Sequence, residues 1–459
     1  MTRSLDRLRR TFVGEVILPA DPGYDEARRL WNAIHDRRPA LILRPASAAE
    51  VATAIAFGRD QDLEIAVRSG GHAVDGARGR DGGLVVDLSA MRGVVVDPAR
   101  RIARVNGGAL LGELDVAAQA HGLVCPVGVV GHTGVAGLTL GGGVGRLQRR
   151  FGLTIDNLVA IELVTADGRL VRASETVEPE LFWGMRGAGW NFGVATAFEF
   201  RLQPFGPDLH RGILIYRSSE VQAAWATFHA YAATAPDSVS VIFGIDRSAD
   251  GSDGRGEPAD RPIVYIAYNH AGPADAVAGD TAGLQRGPKP ASTTTSAEPY
   301  LEVQTAHDLV LGWGRRSFLR GCNGADVGPA ALDELVEHVA TGPGEGTFSV
   351  TALGGAIGRL PEEATAYAGR DAAYDLSADT AWTEPAHDDA NRAWARRAMA
   401  IVAPHATLGC YANGVCDTSP EMSRAIYGDA KLARLAALKH AWDPDNVFHV
   451  NHNVAPADA

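Results

Sequence analysis

Between positions 131 and 145 the chain reads GHTGVAGLTLGGGVG, seven glycines in fifteen residues. Glycine lacks a Cβ, so a backbone this rich in it can approach a neighbour closely. Such density suits a bare backbone laid along an extended ligand. The doubly wound dinucleotide fingerprint is excluded, because no strand–GxGxxG–helix unit with a following acid is present. Further on, RGAGWNFGV at 186–194 repeats the theme beside aromatic rings.

Upstream, the apolar run at residues 63–67 predicts a strand that empties into Arg68, Ser69, Gly70, Gly71 and His72. Backbone N–H groups in such a loop can crowd an anion, and the imidazole at its end is a nucleophile within reach of whatever the anion positions. Alone, the pentapeptide is equally a glycine turn with a solvated histidine.

A chain of 459 residues exceeds one ordinary core, so two domains are expected. Its 46% hydrophobic and 21% charged residues are those of a soluble globular protein. The formal charge of −12 argues against nucleic acid or an anionic membrane as partner. No apolar stretch approaches the ~18 residues of a membrane span, and the basic amino terminus is followed by Gly14, Glu15 and Pro19 rather than a signal-peptide core. Cys125, Cys322, Cys410 and Cys416 are scattered, so neither a disulfide framework nor a metal site is expected. The expected compartment is the cytoplasm, and the chain is a monomer or homodimer.

Residues 40–205 alternate short Val/Ile/Leu runs with glycine turns. Helices are predicted at 47–58, with Ser47 as cap, and at 111–121; strands at 84–88, 94–97 and 102–105; and a hairpin pairs 158–165 with 170–173 through Asp167-Gly168. After residue 205 the texture changes. Longer strands at 211–216, 238–245, 263–269 and 347–353 and helices at 220–233, 330–340 and 388–403 predict an antiparallel sheet covered by helices. The polar stretches 247–261 and 285–299 read as surface loops. The fold class is α+β, with domains at 1–205 and 206–404 and a carboxy-terminal segment, 405–459, returning to the first.

Six motifs in order, RSGGH, TGVAGLTLGGGVG, RFGLTIDNL, ELVTADGRL, LFWGMRGAGWNFGVAT and KHAWDPDNVFHVNHNV, resemble the berberine-bridge-enzyme-like flavin oxidases of the vanillyl-alcohol-oxidase group. The resemblance spans essentially the whole chain. It implies a PCMH-type FAD-binding domain of two α/β subdomains beside a substrate domain. It makes His72 the covalent attachment point for the flavin 8α-methyl, with Arg68 to Gly71 and Ala73 contacting the pyrophosphate. Members with a second, cysteinyl bond carry the cysteine at the position of Val130, and Cys125 lies five residues too early. One bond is therefore expected. His132 and Thr133 line the flavin or the oxygen approach, with a backbone-bonded loop histidine equally open for His132. Gly134, Gly137, Leu138, Gly142, Gly143, Gly145, Gly193 and Val194 complete the glycine-rich cofactor contacts, Asn451 and Asn453 reach it from the tail, and Asp156 and Asn157 brace the loop.

Hydride transfer to flavin needs a base for the neighbouring O–H or N–H proton. Relatives that oxidise alcohols carry a Y-x-N-Y motif whose second tyrosine serves. Here the run is Tyr411, Ala412, Asn413, Gly414, and that hydroxyl is missing. Tyr411 and Asn413 are expected near the flavin, Tyr411 in a structural or catalytic role, and Tyr374 is the next candidate base. Trp313, Trp382, Arg315 and Arg316 are candidate pocket residues. The expected function is an FAD-dependent oxidase passing a hydride from a small organic substrate to the flavin and on to molecular oxygen. An alcohol or glycoside is one substrate class, a C–N or activated C–H bond another, and a ligand-binding flavoprotein without turnover a third reading.

Overall fold

The computed structural model describes residues 2–76, 79–247, 262–309, 311–343 and 345–458. Three larger sheets and one two-stranded pair, Leu123–Val124 with Gln203–Pro204, organise them. The four-stranded sheet runs Glu15–Ile17, Leu41–Arg44, Leu84–Asp87, Ile65–Arg68, parallel among its last three strands. Those three are almost wholly apolar, as expected where helices cover a parallel sheet, and Ala48–Asp60 packs on it with Ser47 accepting the Glu50 N–H as cap. An antiparallel five-stranded sheet follows, Val94–Asp97, Ile102–Asn106, Val194–Arg201, Leu158–Val164, Leu170–Ser174. Its last hairpin turns at Asp167 and Gly168, and Gly168 takes the left-handed φ of +84° that such a turn needs.

The largest sheet has seven antiparallel strands, in the order Ser292–Pro299, Asp208–Arg217, Ile263–His270, Val239–Asp246, Glu345–Ala352, Tyr374–Trp382, Arg316–Gly324. Helices Val221–Ala232, Pro329–Ala340 and Asp388–Val402 bury one of its faces in a single core. The other face is polar along Glu345–Ala352 and Tyr374–Trp382 and apolar further across, at Ile213, Ala267 and Ile242. Along Tyr374–Trp382 burial alternates residue by residue, with Tyr374, Leu376 and Ala378 under the helices and Asp375, Ser377 and Asp379 on the opposite side.

The expected loop at 285–299 is corrected here: Ser292–Pro299 is an edge strand, polar because one side and one edge face solvent and Thr-rich because β-branched residues suit a pleat. The other expected loop, 247–261, lies outside the described residues from position 248 onward.

The helix Pro420–Trp442 ends in a fully buried ion pair, Lys439 Nζ to Asp443 Oδ2 at 2.6 Å. Lys439 also donates to the backbone oxygens of Asn191 (2.7 Å) and Phe448 (3.0 Å). Asn191 in turn donates to His452 O and accepts from Val454 N. Thus the tail is sewn onto the second glycine segment. Among the described residues no helix is long and apolar enough to cross a membrane.

Candidate active site

Two glycine loops meet edge to edge. A Cβ on Gly70 would lie 2.2 Å from Gly134 N, and one on Gly134 would lie 2.2 Å from Gly70 N, so neither position admits a side chain. The loops wall a cleft of about 290 Å³, at the lower end of the ~300–1,000 Å³ typical of cofactor and ligand sites. Ser69, Gly70, Gly71, His72 and Ala73 line one side. Val130, Thr133, Gly134, Gly137 and Leu138 line the other, and Gly193, Tyr411 and Asn413 close it. Among the described residues neither arginine nor lysine lines the cleft, and its ionisable side chains are His72, Asp75, Tyr411 and His452. A Cβ on Gly137 would meet nothing within 4 Å, so that backbone is open to a ligand. An anionic group held here is met by backbone N–H dipoles.

His72 has a defined tautomer. Its Nε2 lies 2.6 Å from His132 Nδ1, and His132 Nε2 lies 3.2 Å from the backbone oxygen of Asp308. A carbonyl oxygen only accepts, so His132 carries its proton on Nε2 and accepts at Nδ1. His72 must then donate from Nε2, which leaves the lone pair on Nδ1. Asp308 is held in turn, its Oδ1 accepting the Gly131 N–H at 2.7 Å. Trp31 stacks on His72 at 5.0 Å between ring centroids and Trp313 meets it edge-on at 6.1 Å. Burial, reinforced by His132, pushes the His72 pKa down to about 3, so this imidazole is neutral and nucleophilic at physiological pH.

Several expected contacts stand behind the cleft wall. Arg68 donates to the Ala27 carbonyl and lies over the Trp313 ring. A Cβ on Gly142 would strike Tyr367, one on Gly143 would strike Thr154, and one on Gly145 the Val127 carbonyl. These three glycines serve backbone packing. Asn157 braces Phe151 O and Leu153 O, Val194 pairs with Val164 in the sheet, and Asn451 bonds Trp190 O and Phe448 O. Asn453 follows His452 in the tail, outside the cleft lining.

Tyr374 requires a correction. It lies under the helices, among Trp225, Phe228 and His229, with its hydroxyl 2.9 Å from His229 Nδ1. The period-two alternation of its strand turns it away from the polar face. Trp382 and Arg316 likewise serve the helix side, both bonded to Asp388. Arg315 pairs with Glu345 at the rim. Tyr411 stays in the cleft. Its oxygen accepts from Asn413 Nδ2 (3.0 Å) and Val144 N (3.3 Å), and burial, with Asp375 adding to it, holds its pKa above the ordinary phenol range. It is therefore a hydrogen-bond donor at neutral pH.

The polar sheet face carries groups that the sequence reading missed. Asp375 sits opposite Asn323 and Thr351, and Asp379 sits opposite Thr347 and Leu319, a cleft residue. Ser377 donates to Asp379 Oδ1 at 2.7 Å, and Thr347 to Asp246 Oδ1 at 2.9 Å. Burial pushes Asp375 up to about 7, with Asp379 adding to it, and pushes Asp379 up to about 6. Asp246 is raised by the same cause. Among the described residues no lysine or arginine charge offsets any of the three. The readable signal was the alternation Tyr374, Asp375, Leu376, Ser377, Ala378, Asp379.

Residues 39–174 match the FAD binding domain family, and residues 410–455 match the family described as berberine and berberine like. The chain is 31% identical to (R)-6-hydroxynicotine oxidase of Paenarthrobacter nicotinovorans, over 96% of this chain and 97% of that protein. It superposes on the crystal structure of 6-hydroxy-D-nicotine oxidase from Arthrobacter nicotinovorans with a TM-score of 0.84 at 28% identity, covering 97% and 99% of the two chains. The fold is also that of Physcomitrella patens BBE-like 1, with a TM-score of 0.88 at 23% identity over 99% of both chains.

Proposed function

The chain belongs to the berberine-bridge-enzyme-like FAD-linked oxidoreductases, and from that we propose an oxidase whose FAD is tethered by one bond from His72 and whose substrate is an amine oxidised at C–N. The observation that carries the tether is the Asp308–His132–His72 chain, which leaves the His72 lone pair on Nδ1 beside a glycine-walled cleft. Val130 lines the cleft where a second, cysteinyl bond would start, and Cys125 is fully buried in the core. Bound there, the cofactor supplies the hydride acceptor, and dioxygen regenerates it with release of hydrogen peroxide. Residues 1–205 with 405–459 form the cofactor unit in this reading, and 206–404 the substrate unit.

The carboxylates of the sheet face support the amine. An ammonium substrate provides the counter-charge that Asp379 and Asp246 lack. Asp375, near 7, takes its proton and so delivers the free amine, whose lone pair assists loss of hydride. No tyrosinate is then needed at position 414. The relative at 31% identity is named a 6-hydroxynicotine oxidase, and nicotine is an amine, which supports the same reading.

Anaerobic mixing tests the substrate class. Secondary and tertiary amines bleach the flavin, sugars and simple alcohols do not, and reoxidation releases peroxide. Bleaching by alcohols alone would sink the amine reading, and bound flavin that no compound bleaches would favour a binding protein. Gly414→Tyr is the companion variant. A Cβ there meets Tyr411 at an ordinary 3.5 Å, so the first atom of the new side chain is accommodated, and acid-stable flavin measured on the variant checks that it stays loaded. It slows amine bleaching several-fold by filling space.

A further inference from the structure

Pairing register arranges the sheet face around Asp375 in three rows that run across the strands. Asn323, Asp375 and Thr351 form one, and Leu319, Asp379, Thr347 and Asp246 form another. The row between them is Gly321, Ser377, Ser349 and Gly244. Residues this small leave a trough between two acidic rows. Tyr265 of the next strand closes its far end, with the ring laid over Gly244: a Cβ on that glycine would lie 2.4 Å from the phenol oxygen. Burial, with Asp246 and Asp379 adding to it, keeps this hydroxyl protonated, and no group among the described residues hydrogen-bonds to it.

One ammonium cannot serve all three carboxylates. Strands lie ~4.8 Å apart and rise ~3.3 Å per residue, so Asp379 and Asp246 stand ~10 Å apart, Asp375 ~13 Å along the strand from Asp379, and Asp375 ~16 Å from Asp246. A nitrogen that gives its proton to Asp375 bonds at ~2.8 Å and leaves Asp246 out of reach. The Ser377 and Thr347 hydroxyls occupy one oxygen each of Asp379 and Asp246, and both carboxylates keep further acceptor capacity. No lysine, arginine or histidine shares this face at any position of the three rows. We propose that the substrate carries a second cationic nitrogen, roughly 10 Å from the oxidised one, seated over Thr347 between Asp379 and Asp246 and against the Tyr265 ring. Its methylene chain crosses the Gly/Ser trough, and the substrate class is a long diamine. This rests on the amine reading of the site. Leu319, opposite Asp379, lines the cofactor cleft, so the trough opens beside the flavin position.

The test is anaerobic flavin bleaching of purified holoprotein, with Kd taken from its concentration dependence. The probes are N-methyl-α,ω-diaminoalkanes of increasing length, each beside the N-methylalkylamine with the same chain, so that apolar contacts cancel in the ratio. An extended chain advances ~1.25 Å per bond, so eight methylenes span ~11 Å between nitrogens and three span ~5 Å. With about eight methylenes the diamine binds wild type roughly tenfold or more tighter than its monoamine, and with three it gains nothing. Asp246→Asn lowers that ratio several-fold, and Tyr265→Leu lowers it by less. A wild-type ratio near one at every length overturns the proposal, as does an Asp246→Asn protein that holds flavin and keeps the wild-type ratio. If Asp246→Asn loses its flavin, the wild-type length series decides alone. Monoamines that bleach the flavin without any preference for diamines overturn only the second subsite. Wild-type flavin that neither series bleaches overturns the amine reading instead.

Discussion

Asp375→Asn lowers the rate of anaerobic flavin reduction by a bound amine ~10²–10⁴-fold, the usual contribution of a positioned general base. The amide matches the carboxylate in size, so the strand and its pairing with Asn323 and Thr351 persist. What disappears is the ability to take the ammonium proton. The pH dependence separates this from a packing defect. Burial holds the folded Asp375 at about 7, so the base form fills as pH rises through that value, and reduction accelerates across pH 6–8 in wild type but not in the variant. Stability moves the other way. A carboxyl whose folded pKa exceeds its unfolded value, ~4, makes the folded state the better proton binder, so stability falls as pH rises from ~4 to about 7 and then levels. Asp375→Asn removes that cost, and its urea midpoint gains on wild type over the same window. A variant that reduces as fast as wild type would show that the proton leaves by another route.

Lys439→Met unfolds far more easily than wild type, by ~3–5 kcal/mol, because it leaves a buried carboxylate without its cation. The ammonium spends all three N–H groups on Asp443, Asn191 O and Phe448 O, and both charged side chains are fully buried. Asp443 keeps only its backbone donors, Val447 N and Phe448 N. The double variant Lys439→Met with Asp443→Leu recovers part of the loss, since an apolar pair needs no charge balance. Urea midpoints measure both. A single variant within 1 kcal/mol of wild type would mean that the tail is not fastened by this pair. The fastening matters for the cleft because Asn191 holds His452 through its backbone.

The glycine loops were legible because a backbone that must stay bare is written in the residue type. Bare backbone at Gly70 and Gly134 has a physical reason, contact with another loop, and it leaves its mark as residue type. The Asp167–Gly168 hairpin was legible for the same reason. Tyr374 was misread because a tyrosine advertises chemistry while its strand's period decides where it points. The buried Leu376 and Ala378 on the same face were the clue, and reading them puts Asp375 and Asp379 on the polar side. The edge strand Ser292–Pro299 was hidden because its exposed positions are polar, as in a loop. Trp31 had no local signal at all. Its indole donates to Leu311 O, 280 positions away, and it stacks on His72, contacts that only tertiary structure creates. Between Asn451 and Asn453, His452 carries no local signal of its own; the Lys439–Asp443 pair and Asn191 set its place in the fold.

The account turns on His72. Wild-type protein is precipitated with acid, washed, digested and analysed by mass spectrometry, with His72→Ala processed in parallel. The pellet is expected to stay yellow, with the peptide containing His72 carrying the mass of one FAD and the peptides containing Cys125 and Val130 carrying none, whereas His72→Ala gives a colourless pellet. A wild-type pellet that bleaches on washing, or flavin found on any other peptide, contradicts the account.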